Sequence, residues 1–181
     1  MKTIISLLLV LFLGAQSQAQ ISKASLQASG LTCSMCSKAV KSALEEVSFV
    51  DKVDVDIKNQ QYNLTFKNSA AVDIDALAKA VEDAGFSVAS FKITADMAHV
   101  SADKDKHVKI GNQYFHFLNG KGQQLNGSTT LTIVDKAFVP AKEFKKWSGA
   151  SKMQCVQTGR AAGCCSSDGV TAQARVYHAI I

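Results

Sequence analysis

The sequence predicts an α+β chain in two parts: a βαββαβ sandwich over residues 20–95, then a small mainly-β domain with one short helix over residues 96–181. Three observations predict it. Hydrophobic periodicity switches between two and 3.6 residues in a regular order across the first part. Turn residues stand at each switch. The second part shows short alternating runs separated by Asn-Gly pairs, with one helical face around Phe144 and Trp147.

The first strand is read from Ala24, Leu26 and Ala28, which alternate with Lys23, Ser25, Gln27 and Ser29 until Gly30. From Ser37 to Val47 the period lengthens, placing Val40, Ala43, Leu44 and Val47 on one helical face. Val53, Val55 and Ile57 alternate with charged residues as a second strand. Asn59-Gln60 connects it to a third, with Tyr62, Leu64 and Phe66 inward. Asp73 can cap a second helix whose buried face is Ile74, Leu77, Ala78 and Val81, and Gly85 can end it. Ala89, Phe91 and Ile93 read as the fourth strand. This order is the split βαβ pattern of a ferredoxin-like sandwich.

Beyond residue 95, Asp103 to Lys106 reads as an exposed turn, and Asn119-Gly120 and Asn126-Gly127 as hairpin turns beside strands at Tyr114–Leu118 and Thr129–Val134. Pro140 can open the short helix. The last run, Val170 to Ile181, alternates like a strand, and the expected shape is a small antiparallel β domain with one short helix, for which an oligonucleotide-fold-like barrel is one available form.

The N-terminus carries an address. Lys2 precedes a nearly continuous apolar run from Ile4 to Leu13, followed by small residues at Ser17 and Ala19. The run is about half the ~20 residues that a spanning helix needs. Residues 1–19 therefore read as a signal peptide, and the mature protein is expected to be periplasmic or secreted, with no membrane span after cleavage. The net charge of +5 lies mostly in scattered lysines of the second half, which excludes the dense basic patch of a nucleic-acid binder. No catalytic constellation stands out, so no enzyme activity is expected.

Five cysteines in an exported chain is an odd count, which argues that some thiols do more than staple the fold. Cys33 and Cys36 sit in Gly30-Leu31-Thr32-Cys33-Ser34-Met35-Cys36, with Cys33 in the loop after the first strand and Cys36 opening the first helix. A helix N-terminus favours thiolate over thiol, and thiolates select soft ions such as Cu(I). The spacing by itself also suits a redox pair, half a zinc site or a short structural disulfide. Zinc normally asks for four ligands, and no matching second CxxC or His-x₃₋₅-His follows. Cys155, Cys164 and Cys165, with Met153 and His178 nearby in sequence, form a second group that reads equally as a soft-metal site or as one disulfide plus a free thiol. His99, His107 and His116 look scattered, and His116, between two phenylalanines, reads as a structural histidine.

Gly30 to Cys36 resembles the GMTCxxC loop of the heavy-metal-associated domain, a family that includes copper chaperones, the N-terminal modules of copper-pumping ATPases and periplasmic mercury-binding proteins. The βαββαβ order and Ala84-Gly85-Phe86 extend the resemblance over residues 21–94. It implies that Cys33 and Cys36 are the metal ligands and that Phe86 belongs to a loop packed beside them. Leu31 stands where the family usually has Met, and Thr32 precedes the first cysteine as in copper and mercury binders. Cu(I) is the implied ion, with Hg(II) or Zn(II) as alternatives. The implied function is a carrier or scavenger that exchanges its ion with a donor or acceptor protein, such as a metal-transporting ATPase or an efflux component.

Overall fold

The computed structural model describes residues 20–181. The signal-peptide reading of residues 1–19 lies outside them. Among the described residues, thirteen elements follow in order. The first six are β1 (Ile21–Ser29), α1 (Ser34–Glu45), β2 (Val50–Asp56), β3 (Gln61–Phe66), α2 (Ile74–Asp83) and β4 (Ser87–Asp103). There follow β5 (His107–Ile110), β6 (Gln113–Phe117), β7 (Lys121–Ile133), α3 (Ala141–Ser148), the single turn α4 (Cys155–Thr158), a 3₁₀ segment (Gly163–Asp168) and β8 (Val176–Ile180).

The first six elements make the ferredoxin-like sandwich, with strands ordered β2-β3-β1-β4 and all pairs antiparallel. Leu26, Leu64, Phe91 and Ile93 are sealed beneath Val40 and Leu44 of α1 and Ile74, Leu77 and Val81 of α2. The Asp73 carboxylate accepts the Asp75 and Ala76 amides and so starts α2. Gly85, at φ +87°, ends it: its amide donates to Glu82 and the Phe86 amide to Val81, the paired bonds of a Schellman turn. Two inward residues differ from the sequence expectation. Ile57 lies beyond the end of β2 and is 83% exposed. A bulge between Gln27 and Ala28 shifts the β1–β4 register, so Val88 takes the buried place expected for Ala89.

The second part extends the same sheet instead of closing into a barrel. β4 runs unbroken through residue 95 and pairs with β7 from Phe91 to Asp103, giving one eight-stranded sheet ordered β2-β3-β1-β4-β7-β8-β6-β5. Asn126-Gly127 is not a hairpin turn: Gly127, at φ +65°, sits opposite a bulge in β4. There the Asn126 side chain accepts the His99 amide at 3.0 Å. β6 and β8 pair in parallel. The main core continues across the junction through Phe91 and Phe138, whose rings lie 5.1 Å apart. A smaller apolar cluster beneath the tail contains Cys155 and Cys165. No helix among the described residues is long and apolar enough to cross a membrane.

Candidate metal centre

The chain leaves β1 through Gly30, which adopts φ +85°, a conformation that glycine enters without strain. That turn presents Thr32 and Cys33 at the start of α1. The helix begins at Ser34, two residues earlier than the sequence suggested, so Cys33 is its N-cap and Cys36 lies in its first turn. Cys33 Sγ accepts the Cys36 amide at 3.4 Å, taking the place of the usual capping oxygen. The two sulfurs stand 2.8 Å apart, both as free thiols, Cys33 exposed and Cys36 half-buried.

Contact with Cys33, then hydrogen bonding to the Thr32 backbone, holds the Cys36 thiol below its ordinary range. The exposed amides of the first helical turn act in the same direction. From below, the Tyr62 hydroxyl donates to the Ser37 carbonyl at 3.3 Å. Burial, and to a smaller extent the neighbouring Cys36 charge, push the Tyr62 hydroxyl up, so it stays protonated and remains a donor. Leu31 and Phe86 both pack against the main core. Phe86 Cδ1 would lie 3.8 Å from a Cβ on Gly30, so the ring borders the loop on its inner side. Met35 points outward and is 70% exposed.

Among the described residues, no third His, Cys, Asp or Glu joins Cys33 and Cys36 within ligating distance. The arrangement offers two sulfur ligands at the surface, next to a positive helix end. Chemically it suits a soft ion of low coordination number.

The other three cysteines come together elsewhere. The sulfurs of Cys155, Cys164 and Cys165 lie within 4.8 Å of one another, all as free thiols. His107 and His116, which look scattered in the sequence, share a second cluster with Cys155. They lie opposite each other in a hairpin that turns tightly after Ile110, so it is strand pairing that brings them together. His116, wholly buried, is lowered to about 4 by burial first and then by His178 and His107, so it is neutral at neutral pH. Burial also pushes the Cys155 thiol up.

Residues 25–87 match the heavy-metal-associated domain family. The mercuric transport protein periplasmic component of Pseudomonas fluorescens is 36% identical over 86 residues, covering 48% of this chain and 93% of the relative. The copper-transporting ATPase of Helicobacter pylori is 34% identical over 65 residues, 36% of this chain but only 9% of the ATPase. Among solved structures, oxidized MerP from Ralstonia metallidurans CH34 is 38% identical, covering 36% of this chain and 93% of its own, with a TM-score of 0.33. With the sandwich order, the CxxC at the first helix and a relative matched over nearly its whole length, the chain belongs to the heavy-metal-associated domain family.

Proposed function

We propose that this protein is an exported carrier of a soft metal ion, Cu(I) in the first reading, held between Cys33 and Cys36 and passed on by thiolate exchange. The observation that carries the reading is the pair of sulfurs at the N-terminus of α1, Cys33 exposed and Cys36 half-buried, with no third ligand beside it among the described residues. For bonds of about 2.3 Å, two thiolates sharing an ion stand roughly 3.8–4.6 Å apart. The sulfurs, 2.8 Å apart, therefore part to take an ion between them. An N-cap and a first-turn residue can do so at small cost, because neither lies inside the helical ladder.

A bis-thiolate Cu(I) unit carries one net negative charge, which the exposed amides and dipole of the first turn stabilise. Zn(II) would find only two of its usual four protein ligands. Since the pair is open to solvent, an incoming thiol or thioether can bind before either original bond breaks. The coordination number then passes through three, and no bare ion is released. The acceptor this implies is a protein with soft ligands of its own, such as a metal-transporting ATPase or an efflux component. The apolar N-terminal run supports export, as does the periplasmic naming of the Pseudomonas fluorescens relative.

Hg(II) is the second reading, favoured by the naming of that same relative as a mercuric transport component. A competition titration of the reduced chain separates the two. The Cu(I) reading expects Cu(I) bound at the pair to pass to a dithiol acceptor within seconds and to resist displacement by stoichiometric Hg(II) in the presence of free thiol. Quantitative displacement by Hg(II) makes mercury the cargo. No binding of either ion at the pair overturns the carrier function.

A further inference from the structure

Three histidines stand in one row across the far half of the sheet. His107 on β5 is paired with His116 on β6, and His116 with His178 on β8. Adjacent ring centroids are 4.5 and 5.2 Å apart, and all three residues are buried. Each ring is held through one nitrogen by a carboxylate. His107 Nδ1 meets Asp168 at 2.8 Å, His116 Nε2 meets Asp105 at 3.1 Å, and His178 Nδ1 meets Asp135 at 2.7 Å.

A carboxylate only accepts, so in a neutral ring the bonded nitrogen carries the proton and the other is a bare lone pair. For His107 that lone pair is on Nε2 and for His116 on Nδ1, and both lie 3.6 Å from Cys155 Sγ. One thiol proton cannot satisfy two lone pairs. His178 Nε2 has no hydrogen-bond partner among the described residues. Buried polar atoms left in this way are costly, whereas an imidazole fixed by an outer carboxylate, with its free nitrogen beside a cysteine, is the arrangement of metal-ligating histidines.

We propose that His107 Nε2, His116 Nδ1 and Cys155 Sγ hold a second thiophilic metal ion, distinct from the cargo of the Cys33–Cys36 loop, and that Cys165 and Cys164 are the sulfur steps by which it arrives. The spacing is already that of a ligand set. With bonds of about 2.3 Å to sulfur and 2.0 Å to nitrogen, an ion places S and N roughly 3.5 Å apart in tetrahedral geometry and 3.7 Å apart in trigonal geometry. Both S–N gaps fall between these values. The charge points to Cu(I): with one thiolate and two neutral imidazoles it makes an uncharged unit, which a buried site accommodates more readily than a net charge.

Cys155 also belongs to the three-sulfur cluster. Cys165 is buried, Cys164 is exposed, and their sulfurs are 3.8 Å apart. Cys164 and Asp105 line an open cleft of about 720 Å³. An ion captured at Cys164 can thus move inward by replacing one sulfur bond at a time. Each thiol releases its proton to solvent as it takes the ion and regains one when the ion moves on.

The test uses the full chain as the Cys33→Ser/Cys36→Ser variant, reduced and free of oxygen, titrated with Cu(I) against a chromophoric Cu(I) chelator. One equivalent should remain bound, and the side-chain NMR signals of His107 and His116 should shift while that of His99 does not. Adding Cys155→Ala should abolish the equivalent in a chain whose circular dichroism is unchanged. If that variant fails to fold, the histidine signals of the Cys155-containing protein still decide. Cys164→Ser should slow uptake at least tenfold without changing the stoichiometry. A folded Cys33→Ser/Cys36→Ser chain that binds no Cu(I), or that binds it without moving the two histidine signals, overturns the second site. Either result leaves the surface pair to be judged by its own titration.

Discussion

Arg175 grips Asp75 across 100 residues of sequence, through Nε–Oδ2 at 2.8 Å and Nη2–Oδ1 at 3.1 Å. The same guanidinium stacks 4.1 Å over the Tyr177 ring and lies 3.6 Å from Asp135. Asp75 belongs to the first turn of α2 and Arg175 leads into β8, so this forked pair fastens the tail of the chain to the metal-binding sandwich. Asp75 is 47% exposed, which discounts the pair for solvent screening. Arg175→Met should therefore lower unfolding stability by about 1–2 kcal/mol, mostly through the lost stacking and the carbonyl bonds to Gly159 and Val176. A double-mutant cycle with Asp75→Asn in urea should show a coupling of roughly 0.5–1 kcal/mol. Strict additivity would mean that the pair fastens nothing.

Gly30→Ala should destabilise the Gly30–Cys36 loop through its backbone. The added methyl would meet Phe86 only at ordinary contact distance, so the cost comes from φ +85°. About 1 kcal/mol is expected, corresponding to a melting temperature roughly 2–4 °C lower for a chain of this size. An unchanged melting temperature would show that this turn is not strained by a side chain.

Cys36 should react as a thiolate at lower pH than a cysteine in the unfolded chain. Its folded pKa is lowered, chiefly by Cys33. Its charged form therefore persists below the ordinary thiol range and is lost as pH falls through the lowered value. Alkylation rates followed by mass spectrometry across pH should give a midpoint below that of the urea-unfolded protein. Cys33→Ala should move the midpoint back up. Coinciding folded and unfolded midpoints would remove the electrostatic basis of the site.

What could be read from residues alone follows from how far each signal reaches along the chain. The βαββαβ order was legible because its periods, the Asp73 cap and the Gly85 stop all act within a few residues. The position of Cys33 and Cys36 at the start of the first helix was legible for the same reason. The length of β4 was not, since Ala95-Asp96-Met97 becomes strand only when β7 lies beside it. Asn126-Gly127 misled because a pair that tolerates positive φ serves a bulge as well as a turn. The histidine–cysteine cluster was hidden most deeply. His107 and His116 meet only once β5 and β6 pair, and Cys155 reaches them from a single helical turn far along the chain.

Cu(I) stoichiometry in two full-length variants tests the carrier function most directly. Cys155→Ala retains the surface pair, while Cys155→Ala/Cys33→Ser/Cys36→Ser lacks both sites. Titrated against a chromophoric chelator under reducing conditions, the first should bind one equivalent and surrender it to a dithiol within seconds, and the second should bind none. Equal binding by the two folded proteins would contradict the assignment of the ion to Cys33 and Cys36.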